Sequence, residues 1–414
     1  MTPSDLDVAV VGAGAAGLAT AIFAKERNPA LRVAVFDGAK KPGAKILVSG
    51  GSRCNVTNTV VTESDFNGGK PSVVRRVLRA LPVKATVEFF ARLGVPLHEE
   101  PGGKLFPDSN QSSTVLHALL REVDRIGVTL RASHRVTDVA REGDRFTIAT
   151  SAGTLTSRAV VLATGGLSLP KTGSDGWGYE AAKRFGHTIV PTTPALAPLL
   201  VDGTEALSGV AHLARLDLRL DDAVAARVRG SLLWTHFGVS GPAALDMSRH
   251  WLRARLGDRR EMLLTLSACP DETFETLDDA WVALARARPR LTVQSAIAER
   301  VPASVAAVVL RRCGVPADVT LAGLTRDTRR TLCHALLEWP VPVRDSRGYN
   351  YAEVTAGGVD LGEIDASMMS RRSAGLYLVG EILDVDGRIG GFNFQWAWSS
   401  ARVASGALAR IGST

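Results

Sequence analysis

The stretch DVAVVGAGAAGLATAIFA, residues 7–24, joins two apolar runs through a glycine-rich turn. The run DVAVV before the glycines has the composition of a buried β-strand, and LATAIFAKER after them carries apolar residues at helical spacing. Gly12, Gly14 and Gly17 follow the spacing G-x-G-x-x-G. The pattern predicts a strand, a tight turn and a helix, in that order.

A second apolar run, RVAVF, ends at Asp37, 20 residues after Gly17. In such a unit Gly12 allows the sharp turn, Gly14 admits a pyrophosphate close to the backbone, and Gly17 lets the helix pack on the strand. The acid is placed to accept hydrogen bonds from ribose hydroxyls. These residues together predict a Rossmann-like dinucleotide-binding unit, without distinguishing NAD from FAD.

The next segment, KKPGAKILVSGGSRCNVTN (residues 40–58), combines glycines with the cations Lys45 and Arg53. A loop of this kind suits a second contact with the pyrophosphate and with the cofactor beyond it. The alternative is a flexible surface loop. Its position directly after the strand that ends in Asp37 favours the cofactor loop.

The composition is that of a globular protein with a substantial core. Of its residues 45% are hydrophobic and 22% are charged. The length of 414 residues predicts two or three domains. The formal net charge of +7 suits either a polyanionic cofactor or nucleic acid. Because no run of five Lys or Arg residues occurs, nucleic acid is the less favoured partner.

The four cysteines form no CxxC pair, which predicts neither a zinc site nor a disulfide framework and is typical of a reducing compartment. The apolar stretch from Val8 to Ala24 follows only Asp5 and Asp7, so it lacks the basic segment of a signal peptide. We therefore expect a cytoplasmic protein without a membrane span or a metal; the oligomeric state is left open.

Proline-bearing segments suggest the domain boundaries. PTTPALAPL begins at residue 191 and WPVPVRD at 339, and the texture between them changes from alternating strands to helices. The prediction is a first part of a nucleotide-binding domain over 1–190, an insertion over 191–342, and a return segment over 343–414. Within the insertion, 191–270 is expected to be mainly β and 271–342 mainly helical, whereas 128–157 before it resembles a β-meander.

Taken together, the motifs resemble those of two-dinucleotide-binding-fold flavoproteins, and specifically the BaiN-like FAD-dependent oxidoreductases, a group that includes proteins labelled aminoacetone oxidases. The resemblance runs from residue 8 to residue 400. It rests on the stretches VVGAGAAGLATA, AKILVSGGSRCNVTN, VVLATGG, THFGVSGPAALDMSR, VTAGGV and GLYLVGEILDVDGRIGGFNFQWAWSS.

The resemblance implies an α/β fold. Its Rossmann-like FAD-binding domain would have three layers in the arrangement ββα, and would be interrupted by a β-barrel-like domain and a helical cap. It also implies that the backbone of Val136 contacts the adenine. Glu381 stands where many flavoproteins have an Asp that is hydrogen-bonded to the ribityl chain. Asp37 stands where Glu is common, which shortens the reach to ribose. The expected FAD-binding residues are Gly12, Ala13, Gly14, Ala15, Ala16, Gly17, Phe36, Asp37, Lys45, Gly51, Arg53, Cys54, Val136, Ala163, Thr164, Gly165, Gly380, Glu381, Gly391, Phe392 and Asn393.

The C-terminal segment GGFNFQWAWSS, residues 390–400, is expected to finish the cofactor pocket. Its two glycines would let the backbone approach the flavin ring, and Asn393 would contact the ring edge or cap a helix that begins near Phe394. The N-terminus of that helix would stabilise negative charge on the ring. Trp396 and Trp398 could stack on substrate or flavin, although helical spacing predicts that at least one lies in the core.

No catalytic residue is identified from the sequence. Cys54 is a weak candidate for a redox thiol against the interpretation of a small packed residue, and His236 is a weak candidate base against a structural role. Asp384 and Asp386 suit a solvated turn near the ribityl chain better than a metal site.

The predicted activity is FAD-dependent two-electron chemistry on a small organic substrate; the alternative is a flavoprotein acting on RNA, such as a tRNA-modifying enzyme. Because the sequence holds no second complete GxGxxG motif, NAD(P)H would serve only as a transient reductant that docks over the ring. Substrate, electron acceptor and reductant are left open.

Overall fold

The computed structural model describes residues 5–257 and 261–411. In these ranges the helices are α1 (Ala15–Arg27), α2 (Ala44–Ser52), α3 (Pro71–Arg79), α4 (Val83–Arg92), α5 (Ser112–Arg125), α6 (Trp177–Arg184), α7 (Gly241–Leu256), α8 (Phe274–Ala287), α9 (Val293–Ala298), α10 (Ala303–Arg312), α11 (Arg326–Leu337) and α12 (Phe392–Leu408).

The strands of the same ranges are β1 (Asp5–Val11), β2 (Val33–Phe36), β3 (Thr57–Asn58), β4 (Phe66–Gly68), β5 (Leu97–Glu100), β6 (Lys104–Pro107), β7 (Thr129–Arg131), β8 (Val136–Glu142), β9 (Arg145–Thr150), β10 (Gly153–Leu162), β11 (Ile189–Ala195), β12 (Leu199–Val201), β13 (Ala211–Leu220), β14 (Ala223–Thr235), β15 (Gly238–Ser240), β16 (Met262–Ser267), β17 (Trp339–Pro340), β18 (Val343–Ser346), β19 (Val354–Val359), β20 (Leu376–Leu378) and β21 (Val385–Gly387).

The chain divides into two compact units. Unit 1 comprises Met1–Thr193 and Glu353–Thr414, and unit 2 comprises Pro194–Ala352. The segment 343–352, assigned from the sequence to the return of the FAD-binding domain, lies in unit 2 because β18 pairs with β12. Unit 2 thus begins and ends with two strands that are neighbours in one sheet.

Unit 1 is built on a mixed sheet in the order β7-β2-β1-β10-β9-β8, with β20 also paired to β10. β1 lies parallel to both β2 and β10, and β20 extends the parallel part. Residues Val8–Val11 are buried because helices and strands cover both faces, as is usual for parallel sheets. The Rossmann-like fold predicted from the glycine motif is confirmed.

The predicted β-meander over 128–157 is only partly correct. β8, β9 and β10 do form antiparallel pairs. However, β7 leaves the meander and lies parallel to β2, at the edge of the central sheet. Its sequence, TLR, is too short for alternation to show which strand it joins.

α1 and α12 lie against each other in unit 1. The middle of α1 is buried from Ala16 to Ala24, and α12 buries Trp396, Trp398 and Ala401. The Asn28 side chain, just beyond α1, donates to the Ala409 carbonyl just beyond α12, at 2.9 Å. Helices from the two ends of the chain therefore share one core.

Unit 2 has its own core. Its sheet follows the order β17-β16-β13-β14-β15-β12-β18, and its neighbouring strands are antiparallel. The helices from α8 to α11 bury a second apolar cluster that includes Trp281 and Leu336. In the described residues of either unit, no helix is long and apolar enough to cross a membrane.

Candidate functional site

The glycine turn between β1 and α1 is held by close backbone contacts. Gly12 has a φ of +103°, and a Cβ at this position would lie 2.5 Å from the Ala163 carbonyl oxygen. A Cβ at Gly17 would lie 1.9 Å from the Gly12 carbonyl oxygen. Packing within the protein therefore requires glycine at both positions. This agrees with the roles predicted for them, the sharp turn at Gly12 and the close packing of the helix at Gly17.

Gly14 differs from these two glycines because the protein itself leaves room beside it. No atom lies within 4 Å of a Cβ built at Gly14. The residue is the N-cap of α1, whose first turn contains no acidic side chain and receives no side-chain capping bond. The free N–H groups and the positive end of α1 therefore suit an anion such as a pyrophosphate.

Asp37 follows β2 and is fixed by two backbone donors. Its Oδ2 accepts from the Ala13 N–H at 2.9 Å, and its Oδ1 accepts from the Ala39 N–H at 2.8 Å. Each carboxylate oxygen keeps a second lone pair, so either one can still accept from a hydroxyl. The bond to Ala13 also ties the acid directly to the glycine turn.

Lys45 and Glu381, which are 336 residues apart in the chain, form an ion pair of 2.5 Å between Nζ and Oε2. Ser168 completes the cluster, because its Oγ accepts from Lys45 Nζ at 2.5 Å and donates to Glu381 Oε1 at 2.8 Å. The Thr355 N–H also donates to Glu381 Oε1, at 2.9 Å. Lys45 is thus engaged by a carboxylate and is not a free cation for phosphate.

The loop after α2 has an unusual backbone. Gly50, Gly51, Ser52 and Cys54 all have positive φ values, between 54° and 66°. No atom lies within 4 Å of a Cβ built at Gly51, so this loop, like Gly14, offers open space. Non-glycine residues with positive φ are strained and cluster at ligand sites.

Cys54 itself is fully buried in this loop. Burial raises the pKa of its thiol to about 12. The thiol therefore stays protonated at neutral pH, whereas redox thiols need a thiolate. These facts favour the interpretation of a small packed residue.

The Arg53 side chain contacts other side chains of the protein. It pairs with Glu100 at 2.5 Å, and its guanidinium lies 4.1 Å from the centroid of the Phe106 ring. The hydrogen bond from Arg53 holds the pKa of Glu100 below its usual range. Arg53 thus anchors the 50–54 loop to β5 and β6.

The glycine doublet at Gly390 and Gly391 is required by contacts within the protein. A Cβ at Gly391 would lie 2.5 Å from the carbonyl carbon and oxygen of Thr57, and one at Gly390 would lie 2.9 Å from the Phe392 ring. The doublet therefore makes room for β3 and for a neighbouring ring. These contacts require glycine at both positions, and the approach of this backbone to the flavin stays a prediction.

The expectations for the start of α12 are also corrected. The helix begins at Phe392, with Gly391 as its N-cap, rather than near Phe394. Asn393 neither caps it nor is free, since its Oδ1 accepts from the Gly387 N–H and its Nδ2 donates to the Gly387 carbonyl, both at 2.8 Å. Asn393 thereby fixes the end of β21.

Both tryptophans of α12 belong to the core. Trp396 is 1% exposed and donates from Nε1 to the Gly380 carbonyl, and Trp398 is fully buried and donates to the Val56 carbonyl. A hydroxyl on the next turn, Ser400 Oγ, accepts from the Gly380 N–H at 3.0 Å. The helix therefore positions Gly380, directly before Glu381.

Two buried amides of the site were missed by sequence reasoning. Gln395 accepts from the hydroxyls of Thr57 and Thr86 and donates to the Leu81 carbonyl, so it is satisfied. Asn55 is 8% exposed, and its buried Oδ1 has no donor among the described residues. The only sequence signal for Asn55 was its place in the glycine- and cation-bearing loop.

The other predicted residues lie in unit 1, except His236. Phe36 ends β2, Val136 begins β8, and both are buried. His236 is exposed in unit 2, in the turn between β14 and β15. Asp386 is 2% exposed, which corrects the expectation of a solvated turn, and the described residues hold no group of three or more acids, cysteines or histidines arranged for a metal.

The site in unit 1 fits FAD. The open positions at Gly14 and Gly51 leave room for a ligand beside the backbone, and the first turn of α1 suits its phosphates. The orphaned Asn55 oxygen requires a donor, and the imide N–H of a flavin is such a donor. The described protein atoms leave the Asn55 oxygen without a donor and leave open space beside Gly14 and Gly51.

Comparison with known families places almost the whole chain in one of them. Residues 6–407 match the HI0933-like protein Rossmann domain. The chain is 33% identical over 401 residues to the ribosomal RNA dihydrouridine synthase of Escherichia coli, covering 95% of this chain and 96% of the relative. It is 31% identical over 405 residues to the 3-dehydro-bile acid delta(4,6)-reductase of Clostridium scindens, covering 97% and 98%.

Among solved structures, the quinol fumarate reductase of Escherichia coli is similar to this chain with a TM-score of 0.51 at 16% identity. The match covers 100% of this chain and 71% of that one. At this identity the likeness bears on the fold alone.

Proposed function

The chain belongs to the HI0933-like Rossmann-domain family, and from this premise we propose that it reduces a carbon–carbon double bond conjugated to a carbonyl group. The family and the BaiN-like relatives make it a FAD-dependent oxidoreductase. The resemblance first seen in the glycine motifs is thereby confirmed, and the proposal concerns the bond that is reduced.

The observation that supports the proposal is a reaction shared by two relatives with unlike substrates. Dihydrouridine is uridine whose C5–C6 double bond, conjugated to the C4 carbonyl, has been reduced. The bile-acid reductase is named for double bonds beside a 3-keto group. Both names describe the same addition of a hydride and a proton, and both proteins match this chain almost from end to end.

When bound, FAD supplies the two-electron chemistry of such a reduction. The chain's part would be to hold it: the turn at Gly14 and the start of α1 would take the pyrophosphate, and Asp37 would accept from ribose. Glu381, fixed by Lys45, Ser168 and the Thr355 N–H, would accept from the ribityl hydroxyls. Asn55 would accept from the flavin imide, because its Oδ1 has no other donor in the described ranges.

A uracil base in RNA is the substrate class that we propose first. The full-length similarity to a ribosomal RNA dihydrouridine synthase and the net charge of +7 support it. The second candidate is a small enone, supported by the similarity to the bile-acid reductase. In either case we propose NAD(P)H as a transient reductant and the cytoplasm as the compartment, in keeping with four free cysteines among the described residues.

The test is an anaerobic reoxidation of the FAD-loaded, dithionite-reduced protein. We expect uridine-containing RNA to restore the oxidised flavin absorbance and to gain two hydrogens per modified base by mass spectrometry, whereas RNA without uridine does neither. Reoxidation by an enone steroid alone would select the second candidate. Reoxidation by oxygen alone, with peroxide released, would contradict the proposal.

A further inference from the structure

An arginine of unit 2 contacts two aromatic rings. The guanidinium carbon of Arg347 is 3.4 Å from the centroid of the Tyr351 ring and 4.4 Å from that of the Phe237 ring. We refer to Phe237, Arg347 and Tyr351 as the Arg347 platform. Half of the Tyr351 surface is exposed, so the platform is open to a partner.

The sheet of unit 2 brings these residues together. β12 pairs with β15 on one side and with β18 on the other. Phe237 directly precedes β15 and lies beside the last residue of β12, whereas Arg347 directly follows β18 and lies beside the residue before β12. β12 has only three residues, so the Arg347 side chain spans it to reach the Phe237 ring. The Arg347 N–H donates to the Pro198 carbonyl at 2.9 Å, and the Phe237 carbonyl accepts from the Val201 N–H at 3.1 Å. The platform is therefore fixed by main-chain hydrogen bonds.

Among the described residues, no carboxylate balances the charge of Arg347. Its neighbours are paired: Arg344 with Asp202 at 2.7 Å and Arg255 with Asp345 at 3.3 Å. Across residues 5–257 and 261–411, no carboxylate lies within ion-pair distance of Arg347, whose side-chain contacts are the two rings. Stacking orients a guanidinium plane and leaves its N–H edge free to donate.

A planar cation beside an exposed ring matches the two halves of a nucleotide. The N–H edge of an arginine binds phosphate in a bidentate manner, and an exposed aromatic face stacks on an unpaired base. A small enone could stack on the ring, but it carries no phosphate for the guanidinium to bind. Charge complementarity therefore favours a polyanion with bases.

We propose that the Arg347 platform binds single-stranded RNA, with a phosphate on Arg347 and a base on Tyr351. The inference rests on the proposed function, because it assigns part of the RNA-binding surface for that reaction. The proposed contact belongs to unit 2.

The test compares Arg347→Ala with Arg290→Ala in the FAD-loaded full chain. Arg290 is an exposed arginine of the same unit, so both variants lose one charge. Binding of a uridine-rich single-stranded RNA of about 12 nucleotides is measured by fluorescence anisotropy over a range of salt. Arg347→Ala should lower the affinity about tenfold and reduce the log–log salt slope by about 0.7. Arg290→Ala should change the affinity less than about twofold, as for a cation without a phosphate contact.

Two further variants separate the ring from the charge. Tyr351→Ala should lower the affinity at least about fivefold with an unchanged salt slope, as expected for the loss of a stacked base. Arg347→Lys should keep the slope but bind less tightly, because lysine lacks the planar fork. Thermal unfolding of each variant shows whether it is folded.

The outcomes distinguish this inference from the proposed function. If the unaltered protein reduces uridine in RNA but Arg347→Ala binds RNA as Arg290→Ala does, the platform is not the RNA contact. If the unaltered protein neither binds nor reduces RNA, the RNA substrate fails and the platform assignment fails with it. Weakened RNA binding in both the arginine and the tyrosine variants, with FAD binding unchanged, supports the platform.

Discussion

α1 and α12 pack against each other, and each has a glycine as its N-cap: Gly14 for α1 and Gly391 for α12. Neither helix is capped by the side chain of its N-cap residue. The two glycines nevertheless serve different needs. A Cβ at Gly14 would meet no protein atom within 4 Å, whereas one at Gly391 would collide with the Thr57 carbonyl. The same local pattern thus leaves space for a ligand at one helix and for the protein's own backbone at the other.

Gly391→Ala should produce the largest effect. Its φ of +92° and the 2.5 Å approach to Thr57 are both incompatible with a side chain. We expect the free energy of unfolding to fall by about 3 kcal/mol, measured by denaturant titration of the FAD-free protein. Gly406→Ala, in the same helix and with no atom within 4 Å of its Cβ, should instead raise it by up to about 1 kcal/mol. Equal effects would show that packing does not explain Gly391.

Acid should weaken unit 1 through Glu363. Burial opposes its charge, but hydrogen bonds from Arg372, Thr188 and His187 prevail and lower its pKa from 4.5 to about 2. Because the folded pKa lies below the unfolded one, this stabilisation is complete above pH 4.5 and is lost as the pH falls toward 2.

We expect the acid-sensitive part to amount to about 2 kcal/mol. Glu363→Gln should be less stable than the unaltered protein at pH 7, and the difference should shrink as the pH falls. A stability difference that is constant with pH would exclude the charge of Glu363 as the source of this stabilisation. Like the packing at Gly391, these contacts lie within the protein and do not involve a ligand.

Gly14→Ala should separate ligand binding from folding. With no protein neighbour to displace, we expect the unfolding free energy of the FAD-free protein to change by less than about 0.5 kcal/mol. The dissociation constant for FAD should rise about tenfold, equivalent to about 1.4 kcal/mol. Equilibrium dialysis measures the affinity, with Gly406→Ala as the control that should bind FAD normally.

Asn55→Leu should give a smaller effect, with opposite signs in the two states. Removing a buried acceptor that lacks a donor should stabilise the FAD-free protein by up to about 1 kcal/mol. The affinity for FAD should fall about fivefold through loss of one hydrogen bond.

Gln395→Leu is the matched comparison for Asn55→Leu, since Gln395 is buried and fully bonded. This variant should destabilise the FAD-free protein because it leaves the Thr57 and Thr86 hydroxyls without their acceptor. If Asn55→Leu destabilised the FAD-free protein as well, the Asn55 oxygen would have a role in the protein alone.

The fold and the N-terminal half of the site could be predicted from the sequence because they are local. Gly12, Gly14 and Gly17 lie within six residues of one another, and the strand ending before Asp37 follows after a single helix. A local pattern of this kind carries its own geometric reason.

The rest of the site depends on residues far apart in the chain. Lys45 meets Glu381 across 336 positions, and Gly391 meets Thr57. Periodicity reports which residues are buried but not which partner each one meets. Hence the partners of Lys45 and of the Gly390–Gly391 doublet within the protein could not be predicted from the sequence.

The most direct test of the difference between the two helix starts is the stabilisation that FAD confers on the variants. Unfolding free energies of the unaltered protein, Gly14→Ala and Gly391→Ala are measured with and without saturating FAD of the same concentration. The account predicts that Gly14→Ala keeps its FAD-free stability and loses much of the gain from FAD, whereas Gly391→Ala loses FAD-free stability and keeps the gain. A loss of FAD-free stability in Gly14→Ala, with the gain from FAD intact, would contradict it.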